Sequence, residues 1–220
     1  MADEPARRPS VKRAAIVVEG DTEEEFIKQV LAPHLIDRGV VADAMKPRSQ
    51  GGNISADRLA RTMAKLSWNF DAVTTLVDFY GFKGKQPGET ATDLEERINL
   101  GVSQCSPRSI DTVPQFAYVQ RHEFEALLYS HPAAFNIIPG LSPNTVHALE
   151  QIAGQFESPE DINDNLDTAP SKRITSVVPN FKKRLHGPAI ATQIGLEAIR
   201  TACPRFHAWV ERLESLVDPR

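Results

Sequence analysis

A short apolar run near the start of the chain constrains the fold more than any other feature. Residues 14–18 are continuously apolar and end in β-branched side chains, which is typical of a strand buried on both faces of a sheet. The run leads directly into residues 19–22 (Glu-Gly-Asp-Thr), after which apolar residues recur at helical spacing from Phe26 to Leu35. A buried strand followed at once by a helix begins a βαβ unit, so a parallel sheet is predicted.

Later segments continue this alternation. Three further apolar segments have the composition of strands, and they span residues 40–45, 72–77 and 115–120. Amphipathic helices are predicted between them, one beginning at Ser55 and one around residues 93–100. Strands that alternate with helices predict the α/β class, with a largely parallel sheet of about four strands flanked by helices.

The pattern changes after Pro132, where helices are interrupted by proline and glycine and no strand is indicated. We therefore expect an α/β domain over residues 13–131 and a C-terminal helical extension, packed on it, over residues 132–220. The polar start of the chain, residues 1–12, is expected to be a disordered tail.

Composition limits the class of protein. Cys105 and Cys203 lack the spacing of a zinc site or a disulfide framework. No run approaches the roughly 18 apolar residues of a membrane span, and the start lacks the apolar stretch of a signal peptide, so we expect a cytoplasmic protein with no membrane partner. The net charge of -4 argues against a basic protein that coats nucleic acid. It is compatible with a nuclease, because a metal site needs carboxylates.

Acidic residues follow three of the predicted strands. Glu19 follows the first, Asp78 the third, and Glu123 and Glu125 the fourth. Ligands of open parallel sheets bind beyond the carboxyl ends of the strands, where these acids can converge. Carboxylates are suitable ligands for Mg²⁺ or Mn²⁺, which can polarise a phosphodiester and activate water. Because Glu123 and Glu125 would face different sides of a helix, both need not bind the metal.

A basic stretch in the extension could contact phosphate groups. Lys172 and Arg173 follow Pro170 at a predicted helix start, and residues 182–184 are basic as well. Phosphate contacts by these side chains would give salt-dependent binding that does not depend on sequence. A solvated helical face is an equally good interpretation of the charge pattern. The aromatic content of 7% gives no indication of a stacking platform for bases.

Several motifs, taken in order, resemble a known family. Residues 18–23 (Val-Glu-Gly-Asp-Thr-Glu) are similar to the Glu-Gly motif that opens Toprim domains, especially those of the overcoming-lysogenization-defect (OLD) nucleases. Together with residues 78–81 (Asp-Phe-Tyr-Gly), 122–128 and 169–174, this motif resembles the bacterial domain of unknown function 4276 (DUF4276). The resemblance extends over nearly the whole chain after Lys12.

The resemblance implies a Toprim-like fold and roles for individual residues. Toprim relatives use a motif glutamate as general acid or base and an Asp-x-Asp motif for metal. The implied catalytic residues are Glu19, Glu23, Asp78 and Lys172, the implied metal ligands are Glu19, Asp78, Glu123 and Glu125, and the implied phosphate-binding residues are Lys172 and Arg173. Tyr80 occupies the position of the second aspartate, and a phenol with a reference pKa of about 10 cannot replace a carboxylate there. Either Glu123 or Glu125 completes the site, or metal binding is weakened.

The expected function is therefore a Mg²⁺-dependent (or Mn²⁺-dependent) nuclease that hydrolyses phosphodiester bonds of DNA or RNA. Members of the family are often encoded near ATPases and in bacterial defence regions, so the resemblance implies an AAA- or ABC-type ATPase partner and a role against phage. The alternative is a non-catalytic regulatory or nucleic-acid-binding subunit that keeps the scaffold. Tyr80 favours this alternative, whereas the acids at several strand ends favour the enzyme.

Overall fold

The computed structural model describes residues 11–47, 54–105, 112–163 and 166–217. Within them a five-stranded parallel sheet is flanked by helices on both faces, which confirms the α/β class. The strands are β1 (Lys12–Val18), β2 (Val40–Met45), β3 (Ala72–Asp78), β4 (Gln115–Phe116) and β5 (Val119–Gln120). β1 lies between β2 and β3, and both short strands pair with the other edge of β3.

Nine α-helices occur in the described residues. They are α1 (Asp21–Phe26), α2 (Ala32–Ile36), α3 (Ala56–Leu66), α4 (Ala91–Cys105), α5 (Pro143–Ala153), α6 (Pro170–Val177), α7 (Lys183–Ile194), α8 (Leu196–Ala202) and α9 (Pro204–Glu214). A π-helical turn (Ile27–Leu31) joins α1 to α2, and 3₁₀ helices span Phe124–Ser130, Pro132–Ile137, Pro159–Asp161 and Leu166–Thr168. None of the helices in these ranges combines the length and apolar character that crossing a membrane requires.

The expected N-terminal tail, residues 1–12, extends one residue into the first strand of the structure. β1 begins at Lys12, which pairs with Val40 of β2, so this residue belongs to the sheet. Residues 1–10 of the expected tail lie outside the described residues.

β1 shows how the sheet divides the core. Ala14, Ile16 and Val18 belong to the hydrophobic cluster on one face, whereas Ala15 and Val17 belong to the cluster on the other. All five are fully buried, because α3 and α4 cover one face while α1, α2 and the C-terminal helices cover the other. This burial on two sides explains why the strand is apolar throughout instead of alternating.

The C-terminal helices share one hydrophobic core with the sheet. In α9, Trp209 stacks on Tyr118 with a ring separation of 4.9 Å, and Phe206 contacts both rings. The Trp209 indole N–H donates to Thr74 Oγ1 in β3 at 2.9 Å, which satisfies the polar end of a buried ring. The helices after residue 132 are therefore anchored directly to the central strand.

The prediction of one continuous fourth strand over residues 115–120 is wrong, because the segment is divided into β4 and β5. Between them, the Thr75 hydroxyl accepts from the Tyr118 N–H at 2.8 Å and donates to the Tyr118 carbonyl at 2.7 Å. The N–H of Ala117 donates to Asn99 Oδ1 at 2.8 Å. Side chains thus satisfy the backbone groups that a regular ladder would have paired.

Candidate active site at the carboxyl end of the sheet

The end of β1 passes into α1 through Glu19 and Gly20. The Gly20 N–H donates to Glu23 Oε2 at 3.0 Å, so the Glu23 carboxylate is buried against the first turn of the helix. Glu23, a predicted catalytic residue, therefore caps the N-terminus of α1 in the structure. Its negative charge also acts on the neighbouring acids Glu19 and Asp78, raising the pKa of each.

Glu19 lies against the loop that follows β3. A side chain on Gly81 would collide with the Glu19 carboxylate in its present position, so glycine allows this close approach. Burial raises the pKa of Glu19, the charge of Glu23 adds to the effect, and Lys183 opposes it. A carboxyl group with a raised pKa exchanges a proton closer to neutral pH, as a general acid or base must.

Asp78 and Glu125 meet around the ammonium group of Lys183. The Lys183 Nζ atom lies 2.7 Å from Glu125 Oε2 and 3.7 Å from Asp78 Oδ2. Asp78 Oδ1 also accepts the Phe124 N–H at 2.7 Å. Glu125 is fully buried, and neither of its carboxylate oxygens receives a well-aligned hydrogen bond from the described residues. The Lys183 ammonium is therefore the principal partner of a buried acid.

The charges of this group are not balanced. Burial raises the pKa of Asp78 well above its ordinary value and that of Glu125 to about 7, and Lys183 opposes both shifts. Burial alone would lower the pKa of Lys183, but Asp78 and Glu125 outweigh it and the pKa is raised. When ionised, Glu19, Glu23, Asp78 and Glu125 carry four negative charges near one positive charge. We call these five residues the acidic cluster.

Glu123 lies beside the acidic cluster and has a different partner. Its Oε2 atom accepts the Ser171 N–H at 2.9 Å, at the start of α6, where a negative charge is favourable. Glu125, two residues further along the chain, is directed to Lys183 instead. The two acids thus separate as their spacing predicts, although the segment is a 3₁₀ helix preceded by Glu123.

The two predicted phosphate-binding residues lie in different surroundings. Lys172 is exposed at the start of α6, directly after Ser171. The Arg173 Nε–H donates to the Thr168 carbonyl at 2.7 Å, and the guanidinium lies 5.3 Å from the centre of the Phe156 ring. The structure therefore brings the beginning of α6 to Glu123 and engages Arg173 in local contacts. Phosphate binding by either residue stays a prediction.

Lys183 is the member of the cluster that the sequence pattern did not single out. It begins α7, between the exposed Lys182 and Arg184, which forms an ion pair with Asp21. Nothing in this basic run distinguishes the half-buried Lys183 from its neighbours. Its position depends on the packing of α7 against α1, where Gly187 allows close contact with the start of α1.

The donors of the cluster can be compared with the needs of a divalent cation. Glu19, Asp78 and Glu125 offer hard oxygen ligands, their combined charge is negative, and the buried Glu125 oxygens receive no well-aligned hydrogen bond from the described part of the chain. No group of three His, Cys, Asp or Glu side chains among the described residues is already arranged as a metal site. The type of donor and the charge fit Mg²⁺ or Mn²⁺, while Lys183 supplies the positive charge in this arrangement.

Comparison with known proteins identifies the family. The family model described as domain of unknown function (DUF4276) matches residues 18–214, from the last residue of β1 to the last residue of α9. No curated protein and no solved structure matches the chain. The matched region contains every member of the acidic cluster and most of the chain. The chain therefore belongs to the DUF4276 family.

Proposed function

We propose that this protein is a Mg²⁺-dependent nuclease that hydrolyses phosphodiester bonds of DNA or RNA. One observation carries the proposal: Asp78 at the end of β3 and Glu125 after β5 hold one lysine between them at the carboxyl edge of a parallel sheet, and Glu19 after β1 is close enough to interact electrostatically with Asp78 and Lys183. Buried carboxylates with raised pKa values destabilise the fold, so such a group is more typical of chemistry than of structural support. The resemblance of residues 18–23 to the Toprim motif supports the same reaction.

The residues of the chain have properties that suit this reaction. A Mg²⁺ ion held by Asp78 and Glu125, with Glu19, would supply electrophilic activation of the phosphodiester and a more acidic water. Glu19 is partly exposed and has a raised pKa, which suits proton exchange. Lys183 offsets part of the negative charge that would repel a phosphodiester. Lys172, exposed beside the start of α6, is proposed to contact an adjacent phosphate.

The test is cleavage of labelled single-stranded and double-stranded DNA and RNA with Mg²⁺, with Mn²⁺ or with chelator. We expect cleavage to need the metal and to be abolished by Asp78→Asn. Glu25→Gln is the matched control, because Glu25 is an acid on α1 whose partner is Lys28 at the surface. Cleavage that persists in chelator, or that is unchanged in Asp78→Asn, would contradict the mechanism.

A second candidate is favoured by different observations. Lys183 offsets part of the charge of Asp78 and Glu125 without a metal, and the Tyr80 ring packs against His122 where the Toprim pattern has a second aspartate. A protein that keeps the scaffold but binds nucleic acid or regulates a partner without hydrolysis would have these features. Binding that is unchanged by chelator, without cleavage of any of the four substrates, would support this candidate over the nuclease.

The family resemblance also supports a cellular setting. We propose a cytoplasmic role in defence against phage, together with an AAA- or ABC-type ATPase encoded nearby. Co-purification of the two tagged proteins after co-expression tests the partnership. Plating efficiency of phage on cells with the wild-type pair and with Asp78→Asn tests the role, and equal plating would contradict it.

A further inference from the structure

Partly exposed rings border the acidic cluster. Phe79 and Tyr80 directly follow Asp78, and His122 directly precedes Glu123. The Tyr80 ring lies 5.5 Å from the His122 ring at an interplanar angle of 37°, and 6.1 Å from the Phe79 ring. The Tyr80 N–H donates to the His122 carbonyl at 3.1 Å, which joins the two loops at the strand ends.

The rings are close to the acids on both sides. Gly81, next to Tyr80, contacts the Glu19 carboxylate. Glu123, next to His122, acts electrostatically on both Tyr80 and Glu125. A nucleotide whose phosphate reached the acidic cluster would therefore have its base near Tyr80 and His122.

His122 is held in an unfavourable backbone conformation. Its φ angle of 64° lies in the left-handed region, which among the described non-glycine residues it alone adopts. This conformation is unfavourable for a residue with a side chain, and such strain is found preferentially at ligand sites. Burial, with the charge of Arg121, lowers the pKa of His122 to about 4, so the ring is neutral at physiological pH.

Lys85 adds a positive charge beside these rings. Its ammonium donates to the Phe79 carbonyl at 2.7 Å and lies 4.3 Å from the Phe79 ring and 5.4 Å from the Tyr80 ring. Proteins that bind single-stranded nucleic acid combine aromatic rings, on which bases stack, with cations that follow the phosphates. The loop after β3 brings both features to the edge of the acidic cluster.

We propose that Tyr80 and His122 form a stacking surface for an unpaired nucleobase, so that the acidic cluster acts on single-stranded nucleic acid. This inference rests on the proposed function, because the phosphodiester held by the cluster would position the base. Bases inside a duplex are stacked on each other and do not offer a face to a protein ring, so the surface selects single strands, loops or frayed ends. Tyr80 then has a role that aspartate could not fill.

The test is binding, in the presence of Mg²⁺, of short single-stranded and duplex oligonucleotides, DNA and RNA, with phosphorothioate linkages that resist cleavage. A 2-aminopurine base reports stacking by loss of fluorescence. We expect the wild type to prefer single strands and to quench the probe, and Tyr80→Phe to keep both properties. Tyr80→Leu should lose roughly five- to hundredfold in affinity, which corresponds to one stacked base.

Two further variants separate stacking from folding. His122→Asn tolerates the left-handed backbone but lacks the aromatic face, so we expect weaker quenching and unchanged thermal stability. Phe70→Leu is the matched control, because Phe70 is a partly exposed ring just before β3, at the opposite edge of the sheet. The oligonucleotide affinity and quenching of Phe70→Leu should equal those of the wild type.

The possible results test the stacking surface and the proposed nuclease function separately. Equal affinity for single strands and duplex, unchanged in Tyr80→Leu, overturns the stacking surface and leaves nucleic-acid binding standing. Failure of the wild type to bind any of the oligonucleotides overturns the proposed function itself. Preference for single strands that is lost in Tyr80→Leu and kept in Tyr80→Phe supports the inference.

Discussion

Two groups of buried acids in this molecule use their charges in opposite ways. In the acidic cluster, Asp78 and Glu125 surround Lys183, and the Glu125 oxygens receive no well-aligned hydrogen bond from the described residues. In the second group, Glu160 lies in the interior between the sheet and α9 and is only 2% exposed. Glu125 and Glu160 are both buried, but of these two acids only Glu160 accepts well-aligned hydrogen bonds from the described residues at both carboxylate oxygens.

Glu160 illustrates a structural acid. Its Oε2 accepts the Arg205 N–H at 2.8 Å, and its Oε1 accepts the Phe206 N–H at 3.2 Å and the Tyr118 hydroxyl at 3.3 Å. The two N–H groups belong to the first turn of α9, so the carboxylate satisfies donors that the helix itself cannot pair. Burial raises the pKa of Glu160, while the bonds from Arg205 and Phe206 oppose the shift.

The contrast teaches how a functional acid can be distinguished from a structural one. Burial alone does not separate Glu125 from Glu160, since both are buried and burial raises the pKa of both. The separation lies in the partners: both oxygens of Glu160 accept backbone N–H groups of α9, whereas the principal partner of Glu125 among the described residues is the side chain of Lys183. A buried acid without fixed donors can accept a ligand in their place.

The largest effect that we expect from this contrast is a pH dependence of stability due to Glu125. Its pKa is about 7 in the folded protein and near the ordinary 4.5 when unfolded, so the folded state binds more protons between these values. The free energy of unfolding should therefore fall as pH rises from about 4.5 to 7, by up to about 3 kcal/mol from this residue. Asp78 and Glu19 act in the same direction.

The measurement is urea unfolding across this pH range in chelator, for the wild type and Glu125→Gln. The variant should lose less stability than the wild type as pH rises, because it lacks the titrating group. If the free energy of unfolding changed with pH in the same way in both proteins, Glu125 would have an ordinary pKa. The distinction between Glu125 and Glu160 would then be lost.

A smaller effect concerns the structural acid. Glu160→Gln replaces acceptor oxygens with an amide, leaving one N–H of α9 facing a donor, and should lower the free energy of unfolding by about 2 kcal/mol. Glu125→Gln, measured at the same pH of 8, should leave stability equal or higher, because it removes an acid that repels Asp78. Equal losses of stability in Glu160→Gln and Glu125→Gln would mean that the two buried acids do not differ in their structural role.

The smallest expected effect is that of the lysine. Lys183→Met leaves Asp78 and Glu125 without their cation and should cost about 1–2 kcal/mol at pH 8 in chelator. This is less than for a fully buried pair, because the Lys183 side chain is 39% exposed. The neighbouring Lys182→Met is the control, since Lys182 is exposed on the same turn. Identical unfolding curves for the two variants would mean that Lys183 does not neutralise the acids.

The sheet and the acids at the strand ends could be predicted from the sequence because they depend on local patterns. The run at residues 14–18 is apolar because both faces of β1 are covered, and the ends of parallel strands share one edge of the sheet. The convergence of Glu19 and Asp78 could therefore be predicted without knowing the conformation of the loops.

The remaining parts of the site depend on contacts between distant segments. Lys183 is one of three consecutive basic residues, and only the packing of α7 directs it to Glu125. Tyr80 and His122 meet because two loops are joined by a backbone hydrogen bond, which aromatic content cannot reveal. The division of the fourth strand likewise depends on a hydroxyl group, that of Thr75, on another strand.

The most direct test of the central claim is calorimetric titration of the protein with Mn²⁺ and Mg²⁺, alongside the shift in melting temperature. The account predicts that the wild type and Glu25→Gln bind the ion and are stabilised by it, because bound ligand favours the folded state. Asp78→Asn should neither bind nor be stabilised, although it remains folded. Absence of binding in the wild type, or equal binding in Asp78→Asn, would contradict the assignment of the acidic cluster as a metal-dependent site.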